Sequence, residues 1–493
     1  MSIRLSDSAL AALPAGVNGP GYARASLSAG ILHIGVGNFH RAHQAVYLDR
    51  LFAMGLDHDW AIIGAGVKPY DAAMREKLVA QDCLTTVVEL DPKGLNARVT
   101  GAMIDFLAVD PAALIEALAR PEIRIVSLTV TEGGYFVDAR TGGFDRSHPE
   151  ILADIANPDA PRTVFGLLIA GLRRRRAAGV APFTVMSCDN LPENGAVTRR
   201  TVLGLAEALD PDLASWIATT VAFPNGMVDC ITPATSDRER ALVKEQFGLD
   251  DPVPVACEPF RQWVLEDHFP AGRPALEKVG VEFVEDVALY ELMKLRILNG
   301  GHAAIAYPAG LLGIHYVHDA MAHPLIRAYL HKLETEEIIP TLAPIRGVNF
   351  ADYLTLIEDR FSNAAVGDTI PRLCLDGSNR QPKFILPTLA DRLAAGKGIT
   401  GLALELALWC RYCAATTDAG EAIRIADERA DSLTAAAMAA REKPTAFLAQ
   451  HDIFGRLGED TRLQGAFAAA LSSLWHKGTE ATLEAYIAGT LGA

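Results

Sequence analysis

The hydrophobic pattern of the chain changes near residue 285. Before that point, short apolar runs alternate with segments whose apolar residues recur at helical spacing. Strands are predicted at 30–37, 60–67, 84–90, 123–131 and 183–190, and their near-continuous apolarity is typical of a parallel sheet covered on both faces. The alternation of strand and helix predicts a doubly wound α/β domain.

Beyond residue 285, helical periodicity continues and strand-like runs are few, as in the segments 288–313, 323–342 and 401–415. This part of the chain is therefore predicted to be mostly α-helical. We expect two domains, residues 1–285 and 286–493, with no flexible linker between them.

Composition and charge narrow the class of protein. The chain has 493 residues, which is enough for two to four domains. Its residues are 50% hydrophobic and 21% charged, and this composition excludes a disordered chain. A formal net charge of -15 argues against nucleic acid or an anionic membrane as partner. The four arginines at 173–176 precede Gly179, so we expect them to offset a helix dipole rather than bind phosphate. Neither a secretory signal nor a membrane-length apolar run is visible, so a cytoplasmic protein is expected.

Cysteine and histidine patterns give little sign of a metal. The seven cysteines are odd in number and scattered, which favours reduced thiols over a disulfide framework. Cys410 and Cys413 form a CxxC pair, but the apolar run around them predicts a buried helix rather than a zinc site. Two histidine pairs lack suitable partner ligands and are predicted to be solvated or capping: His40 with His43, and His315 with His318.

A glycine-containing loop follows the first predicted strand. Gly35 and Gly37 occupy the first two positions of a G-x-G-x-x-G fingerprint, and His40 stands at the third. The first glycine permits a tight turn, and the second lets the backbone approach a pyrophosphate at the start of the next helix. A glycine turn needed only for packing is the alternative. The candidate dinucleotide-binding residues are Ile34, Gly35, Val36, Gly37, Asn38 and Phe39.

Asp71 follows the second predicted strand, about where a carboxylate would bind an adenosine ribose. Such a carboxylate would repel the 2′-phosphate of NADP, so NAD is the predicted cofactor. Lys68, close in sequence, is an opposing signal.

The segment ELMKLRILNGGH, residues 291–302, carries the strongest candidates for catalysis. On a regular helix with Lys294 at zero, Glu291 and His302 fall at about 60° and 80°, and Asn299 at about 140°. These polar side chains share one side of an otherwise apolar helix. A desolvated lysine has a lowered pKa and can act as a general base near neutral pH.

Two asparagines are candidate donors to the alkoxide that develops beside such a base. They are Asn299 and Asn190, the latter in the strand-ending segment SCDNLPENG. The alternative is a lysine that extends to solvent and an asparagine that caps a bend at Gly300 and Gly301. Spacing alone does not separate the two interpretations.

Six motifs occur in order along the chain: GVGNFHRAHQA, SLTVTEGGY, FTVMSCDNLPENG, FPNGMVD, CEPFRQWVLED and MKLRILNGGH. Together they resemble the long-chain polyol dehydrogenases of the mannitol dehydrogenase family, and most closely its mannitol branch. The resemblance extends from about residue 25 to the last helices. It implies a Rossmann-type N-terminal domain, a largely helical C-terminal domain, an active site in the cleft between them, and a metal-independent, NAD-linked enzyme.

The resemblance also implies roles for residues at matching positions. Lys294 matches the catalytic base, and Asn190 and Asn299 match the oxyanion donors. His302 matches a histidine that orients the substrate, and Glu291 a carboxylate that passes the lysine proton to solvent. Substrate-binding positions are matched by Asp229, Arg372 and Arg380.

The sequence departs from the family pattern at four positions. Arg380 stands where lysine is usual, and Cys230 follows Asp229 where arginine is usual. Gly301 replaces a serine, and Pro308 is expected to interrupt the helix after His302. We expect these changes to affect substrate preference and affinity rather than the core chemistry.

The predicted reaction is the NAD-dependent oxidation of a polyol at C2 to a ketose, and its reverse. The expected substrate is D-mannitol, giving D-fructose, with arabitol and sorbitol as further possibilities. The partners expected are this small molecule alone, without nucleic acid or membrane, and a monomer or small homo-oligomer.

Three alternatives are weighed against this prediction. A fructuronate or tagaturonate reductase of the same family would use Arg372 or Arg380 for a carboxylate, but Gly133 stands where such enzymes tend to carry lysine. A zinc-dependent polyol dehydrogenase lacks a credible ligand cluster in the sequence. A non-catalytic NAD-binding regulator would not need the lysine constellation.

Overall fold

The computed structural model describes residues 2–138 and 141–492. The chain divides into two compact units, Met1–Ala288 and Leu289–Ala493. Among the described residues, the first unit contains every strand: β1 (Ile3–Arg4), β2 (Val17–Asn18), β3 (Ala29–Ile34), β4 (Ala61–Ala65), β5 (Thr85–Glu89), β6 (Asn96–Thr100), β7 (Met103–Phe106), β8 (Ile125–Leu128), β9 (Thr184–Ser187), β10 (Gly226–Asp229), β11 (Leu249–Asp250), β12 (Val255–Cys257), β13 (Gln262–Glu266) and β14 (Glu282–Val284).

Five of these strands form a fully parallel sheet in the order β7-β4-β3-β8-β9. Helices connect and flank them: α1 (Asn38–Ala42), α2 (Gln44–Ala53), α3 (Asp71–Val79), α4 (Pro111–Ala119), α5 (Pro149–Ala156), α6 (Val164–Ala178), α7 (Asn194–Leu209), α8 (Pro211–Thr220) and α9 (Asp237–Phe247). The strand order runs outward in both directions from β3, as in a doubly wound Rossmann-type domain. The predicted fold class of the N-terminal part is confirmed.

Alternate side chains of β3 pack on opposite faces of the sheet. Leu32 and Ile34 belong to one apolar cluster, which α4 and α6 complete. Ile31 belongs to a second cluster, which includes Leu48 and Phe52 of α2. Apolar residues are needed on both faces, and this explains why the strand reads as a continuous apolar run.

The predicted strand at 84–90 exists as β5, but its assignment to the parallel sheet was wrong. β5 pairs antiparallel with β6, within a separate sheet of order β12-β5-β6-β2. A short turn with Gly94 at φ 145° returns the chain directly into β6. The remaining sheets are β10-β13-β14 and the pair β1-β11.

The run of four arginines ends α6, and Gly179 follows in the left-handed conformation at φ 67°. Arg175 differs from the predicted dipole role, because its side chain is buried and donates to backbone carbonyls of Leu118 and Ala181. Leu118 lies in the last turn of α4 and Ala181 follows α6, so neither carbonyl is used by an intrahelical donor. Arg175 therefore stabilises the packing of α4 against α6.

The second unit is helical, as predicted. Its helices are α10 (Ala288–Met293, which begins at the division), α11 (Gly300–Leu311), α12 (Val317–Ala322), α13 (Pro324–Leu333), α14 (Phe350–Phe361), α15 (Ile370–Leu373), α16 (Gly377–Phe384), α17 (Leu386–Ala394), α18 (Thr400–Cys413), α19 (Ala430–Ala440), α20 (Thr445–Leu448), α21 (His451–Phe454) and α22 (Thr461–Ile487). Two π-helical turns, Lys294–Asn299 and Glu334–Ile338, interrupt this pattern. Short 3-10 turns occur at Asp7–Ala12, Arg24–Ser26, His58–Trp60, Glu132–Tyr135, Leu276–Val279, Ile339–Thr341 and Gly455–Glu459.

Helix α18 is the core of the second unit. Every side chain from Gly401 to Cys413 is buried. Cys410 and Cys413 are free thiols within it, which confirms the prediction of a buried helix at the CxxC pair. Along the described parts of the chain, no helix has both the length and the apolarity to cross a bilayer.

Candidate active site

The loop between β3 and α1 has the backbone that the glycine pattern predicts. Gly35 adopts φ 98°, and a Cβ atom there would lie 2.1 Å from the carbonyl oxygen of Thr129. Only glycine fits such a position. Gly37 precedes α1 and is exposed, and a Cβ added there would meet no atom closer than 3.9 Å. The surface in front of α1 is therefore open to a ligand.

The remaining loop residues offer mainly backbone groups. Ile34 and Val36 are buried in the apolar clusters beside the sheet. Asn38 donates from Nδ2 to the carbonyl oxygen of Pro233 at 3.1 Å and to Thr235 Oγ1 at 2.9 Å. The ring of Phe39 stacks on another ring, that of His43, with 4.8 Å between centroids. The predicted set forms one loop, in which Asn38 secures the start of α1.

Histidines support this loop from beneath. The prediction that His40 and His43 are solvated or capping was wrong, because both are buried. The rings of His33 and His40 stack with 3.4 Å between centroids. Burial lowers the pKa of His33 to about 3, and burial together with the neighbouring His33 lowers the pKa of His40. Both rings are therefore neutral at physiological pH.

His33 was missed by the sequence reasoning, although a histidine inside an apolar strand is a visible signal. Its Nδ1 lies 2.8 Å from Ser127 Oγ, which in turn donates to Gln44 Oε1 at 3.0 Å. Its Nε2 lies 3.0 Å from Thr129 Oγ1. A polar network thus runs through the core directly under the glycine turn.

Asp71 lies after the carboxyl end of β4, as a ribose-binding carboxylate would. Its Oδ2 accepts the backbone N–H groups of Val67 and Lys68, both at 2.9 Å. Lys68, the opposing signal, forms an ion pair with Glu150 at 2.7 Å. The Lys68 charge is therefore already paired with a carboxylate.

The segment after β9 positions Asn190, which is exposed. Asp189 beside it is buried, and its carboxylate accepts the N–H groups of Val130 and Thr131 at 2.9 and 3.0 Å. Tyr135 also donates to Asp189, at 2.6 Å. Thr131 is held at φ 67°, which is rare for a β-branched residue. Asp189 therefore couples the loop that carries Asn190 to the loop after β8.

Asn194 links the same segment to β10. Its side-chain amide both donates to the carbonyl of Gly226, at 2.7 Å, and accepts the Gly226 N–H, at 2.9 Å. Asp229 is the buried last residue of β10. The sequence reasoning chose Asn190 from SCDNLPENG and missed Asn194, whose partners lie far along the chain.

Lys294 begins a π-helical turn rather than continuing a regular helix. Within this turn, the N–H of Gly300 donates to the carbonyl of Leu295, five residues earlier. The predicted helical angles past Lys294 were therefore wrong, because a residue in a π turn advances by less than 100°. Lys294 is only 7% exposed. Single π turns inside helices are frequent at functional sites.

Arg296 anchors this turn and was not singled out from the sequence. It is buried and donates to Thr341 Oγ1 at 2.6 Å and to Asp391 at 2.5 Å. Its guanidinium group is paired with Asp391, so Arg296 joins the turn to the rest of the second unit. Arg296 therefore holds the backbone on which Lys294 sits.

The helix does not break after Asn299. Gly300 has helical dihedrals of -61° and -42°, so the alternative interpretation, in which Asn299 caps a bend at the glycine pair, is not supported. Pro308 was expected to interrupt the helix, and this was also wrong, because α11 continues through it to Leu311. A proline costs one hydrogen bond within a helix, and here the buried packing of α11 compensates for that loss.

His302 lies on α11 with its ring stacked on Phe361, at 4.3 Å between centroids. Burial would raise the pKa of Asp368, but its ion pair with Arg372 and the nearby His302 hold it below its usual value. Arg372 Nε donates to Asp368 Oδ1 at 2.5 Å. Arg380 donates to the carbonyl of Leu373 at 2.9 Å. The structure thus brings His302, Asp368 and both predicted arginines into one region.

Glu334 lies beside this region and was not predicted. A Cβ at Gly301 would lie 3.4 Å from Glu334 Oε1. Neither carboxyl oxygen of this buried residue has a hydrogen-bond partner among the described residues. Burial, with Glu358 nearby, raises the pKa of Glu334 well above its usual value. Within residues 2–138 and 141–492, no group of three or more histidine, cysteine or acidic side chains is arranged to hold a metal.

Comparison with known proteins decides the family. Residues 29–278 match the mannitol dehydrogenase Rossmann domain, and residues 286–475 match the mannitol dehydrogenase C-terminal domain. The chain belongs to the mannitol dehydrogenase family. It is 62% identical to mannitol 2-dehydrogenase of Cereibacter sphaeroides over 474 residues, which is 96% of this chain and 99% of that protein.

Solved structures of similar proteins agree with this family. The ternary complex of Pseudomonas fluorescens mannitol 2-dehydrogenase with NAD and D-mannitol has a TM-score of 0.85 and 43% identity, covering 99% of this chain and 100% of that one. A substrate-free D-sorbitol dehydrogenase has a TM-score of 0.92 and 37% identity, covering 98% of this chain and 100% of that one. The predicted family, its pair of domain types and the predicted class of enzyme are confirmed.

Proposed function

We propose that this chain oxidises D-mannitol at C2 to D-fructose with NAD, and catalyses the reverse reduction, without a metal. The observation that supports this choice of substrate is the 62% identity, over 96% of the chain, to a mannitol 2-dehydrogenase. The two structural features expected of the reaction are both present in the chain. They are an open glycine turn before α1 and a buried lysine on a π turn.

The loop after β3 fits the cofactor. Gly35 provides the tight turn, and the open backbone at Gly37 leaves room for a pyrophosphate. Asp71 supplies a carboxylate at the end of β4, and the pairing of Lys68 with Glu150 weakens the case for NADP. When bound, NAD accepts the hydride that leaves C2.

The protein's side chains handle the proton and the developing charge. Lys294, neutral, takes the proton of the C2 hydroxyl, and Glu291, three residues earlier, passes it to solvent. Asn190 and Asn299 donate hydrogen bonds to the oxygen as it gains alkoxide character. His302, held by its stack on Phe361, orients the substrate.

Asp229, Arg372 and Arg380 bind the remaining hydroxyls of the substrate. The ion pair of Arg372 with Asp368 neutralises one of the two cations that a uronate carboxylate could use, which supports a neutral polyol as the substrate. Arg380 in turn donates to the backbone carbonyls of Arg372 and Leu373, which hold its guanidinium group in the same region.

An NADH absorbance assay tests the proposal. D-mannitol oxidation is compared with that of D-arabitol and D-sorbitol, and D-fructose reduction with D-fructuronate reduction, using NADH and NADPH in parallel. We expect the mannitol–fructose pair with NAD to be fastest and a chelator to have no effect. Replacement of Asn190 or Asn299 by alanine should lower turnover by about 10²-fold or more. Faster reduction of the uronate would overturn the choice of substrate.

A further inference from the structure

Two cysteines that the proposed reaction does not use lie next to each other in the first unit. Cys230 follows β10, and Cys257 ends β12. The two segments are bonded directly, because the N–H of Glu258 donates to the carbonyl of Ile231 at 2.9 Å. The side chains of Cys230 and Cys257 belong to one small buried apolar cluster, and each thiol shifts the pKa of the other.

A cation completes this cluster. Arg261 donates from Nη2 to Cys257 Sγ at 3.1 Å, and its Nη1 pairs with Glu89 at 2.6 Å. Its Nε donates to the carbonyl of Ala42, the last residue of α1, also at 2.6 Å. The guanidinium group therefore connects the thiol pair to the helix that follows the cofactor loop.

We propose that Cys230 and Cys257 are a redox-active thiol pair, which a peroxide converts reversibly to a disulfide, and that this oxidation alters the binding of the cofactor. The proposal stands on the position of the two cysteines, whose following residues are joined by a backbone hydrogen bond and which share one apolar cluster, and on the guanidinium beside one of them. It does not depend on the identity of the polyol.

The electrostatics distinguish Cys257 from the other cysteines, whereas the pKa of its neighbour Cys230 is raised. The hydrogen bond from Cys230, and the charge of Arg261, lower the pKa of Cys257 despite its burial and the nearby Glu89 and Glu258. The thiolate is the reactive form of cysteine. In each of the other five cysteines, burial raises the pKa of the thiol: Cys83, Cys188, Cys374, Cys410 and Cys413.

The oxidation balances with hydrogen peroxide as the oxidant. The Cys257 thiolate attacks one peroxide oxygen, so that an S–O bond forms, the O–O bond breaks, and hydroxide leaves and is protonated to water. Cys230 then attacks the sulfenic sulfur, the S–S bond forms, and the departing hydroxide takes up the thiol proton as a second water. Two thiols lose two electrons and two protons in total.

Burial determines which oxidants can react. Cys257 has no exposed surface and Cys230 only 7%. A molecule close to water in size can reach the pair through small local openings, whereas a bulky disulfide such as oxidised glutathione cannot. Hydrogen peroxide should therefore react, and oxidised glutathione should not.

The consequence for the cofactor follows from the surroundings of the pair. Both cysteines belong to an apolar cluster with Ala42 and Val46, and Phe39 of the cofactor loop packs against it. A disulfide changes the sulfur to which Arg261 donates, and so changes the hydrogen bonding of the guanidinium group that contacts α1. We expect NAD to bind about fivefold or more weakly to the oxidised protein, with recovery after reduction.

Peptide mass spectrometry on the native full-length protein tests the linkage. After treatment with hydrogen peroxide and alkylation, we expect a peptide pair joined through Cys230 and Cys257, lost on reduction and absent from C230S and C257S. Oxidation of the exposed methionines Met54 and Met438 shows that the oxidant reached the protein. If those methionines are oxidised while Cys230 and Cys257 stay unlinked, the proposal is wrong.

Matched controls separate this pair from general thiol oxidation. Cys410 and Cys413 are equally buried and three residues apart, so they should remain unlinked, and C410S should leave the Cys230–Cys257 linkage unchanged. A linkage that forms only in denaturant would overturn the proposal.

NAD affinity, measured by fluorescence titration, should change on oxidation in the wild type but not in C230S. An equal change in both would show that the effect does not come from this thiol pair. Because mass is the primary readout, an error in the proposed substrate would not affect this test.

Discussion

The two units bury titratable groups of opposite kind beside their functional segments. In the first unit, the stacked His33 and His40 lie under the cofactor loop, and burial lowers the pKa of each. In the second unit, Glu334 lies beside Gly301, and Glu405 accepts a hydrogen bond from Gln381 at 2.6 Å in buried α18. Burial raises the pKa of both glutamates.

The two clusters therefore respond to pH in opposite directions. The pKa of His33 falls from 6.5 to about 3 on folding. Below about pH 6.5 the unfolded chain therefore binds a proton that the folded protein does not, and the free energy of unfolding decreases as the pH falls toward 3. The pKa of Glu405 rises from 4.5 to about 8 on folding. Above about pH 4.5 the unfolded chain therefore loses a proton that the folded protein keeps, and the free energy of unfolding decreases as the pH rises toward 8. Burial of an ionisable group favours its neutral form, and the kind of group decides which pH range that form protects.

The largest expected effect separates the units by function. Lys294→Ala should lower turnover by about 10²- to 10⁴-fold, because a general base is lost, while NAD binding to the first unit stays unchanged. The measurement is steady-state kinetics together with a fluorescence titration of NAD. Replacement of the exposed Lys397 by alanine is the control and should leave both quantities unchanged. Retention of turnover within tenfold in the Lys294 variant would contradict the proposed base.

The histidine cluster gives the next largest effect. Between pH 7.5 and 5, the wild type should lose on the order of a few kcal/mol of unfolding free energy in the first unit. His40→Phe keeps a ring to stack on His33 and removes one titrating group, so its loss over the same range should be smaller. Hydrogen exchange of peptides from β3 measures this, with peptides from α18 as the internal comparison. An equal loss of unfolding free energy in the wild type and the variant would contradict the assigned role of the buried histidines.

The acidic cluster should show the opposite sign. Glu405→Gln removes the ionisable group and retains a side chain that can accept from Gln381, so at pH 7 it should stabilise the second unit by about 2 kcal/mol. Near pH 4 the gain should vanish, because the wild-type carboxyl is then neutral in both states. Urea unfolding at the two pH values tests this, and a gain that is the same at both would refute the assigned cause.

The smallest expected effect concerns Gly301. A serine at this position would place a hydroxyl close to Glu334, whose carboxyl oxygens have no partner among the described residues. We expect Gly301→Ser to raise the unfolding free energy by about 1 kcal/mol, and Gly301→Ala, the matched control, to raise it less. If alanine and serine stabilise the protein equally, the hydrogen bond to Glu334 is not the reason.

Local chemistry explains what the sequence could predict. The glycine turn could be read from Gly35 and Gly37, because the backbone at Gly35 admits no Cβ. The parallel strands could be recognised because both faces of the sheet are covered. Local patterning was sufficient in these places, since the deciding contacts are required by the element itself.

Other features depend on contacts between distant residues, and these were missed. The π turn at Lys294 is held by Arg296, whose partners Thr341 and Asp391 lie far along the chain. Pro308 is tolerated because α11 is buried on all sides, which no local pattern reveals. The roles of Lys294, Asn190 and Asn299 stay predictions, which the variants above test, and the roles of the substrate-binding residues stay predictions as well.

The two hydrogen bonds between Asn194 and Gly226 have a further consequence. β10 is the outer strand of its sheet, and an outer strand presents peptide groups to which another chain can pair. The Asn194 amide offers one donor and one acceptor, as a backbone peptide does, and occupies both polar groups of Gly226. All four residues of β10 are buried, so a single side chain stands in for a missing neighbouring strand and satisfies peptide groups that water does not reach.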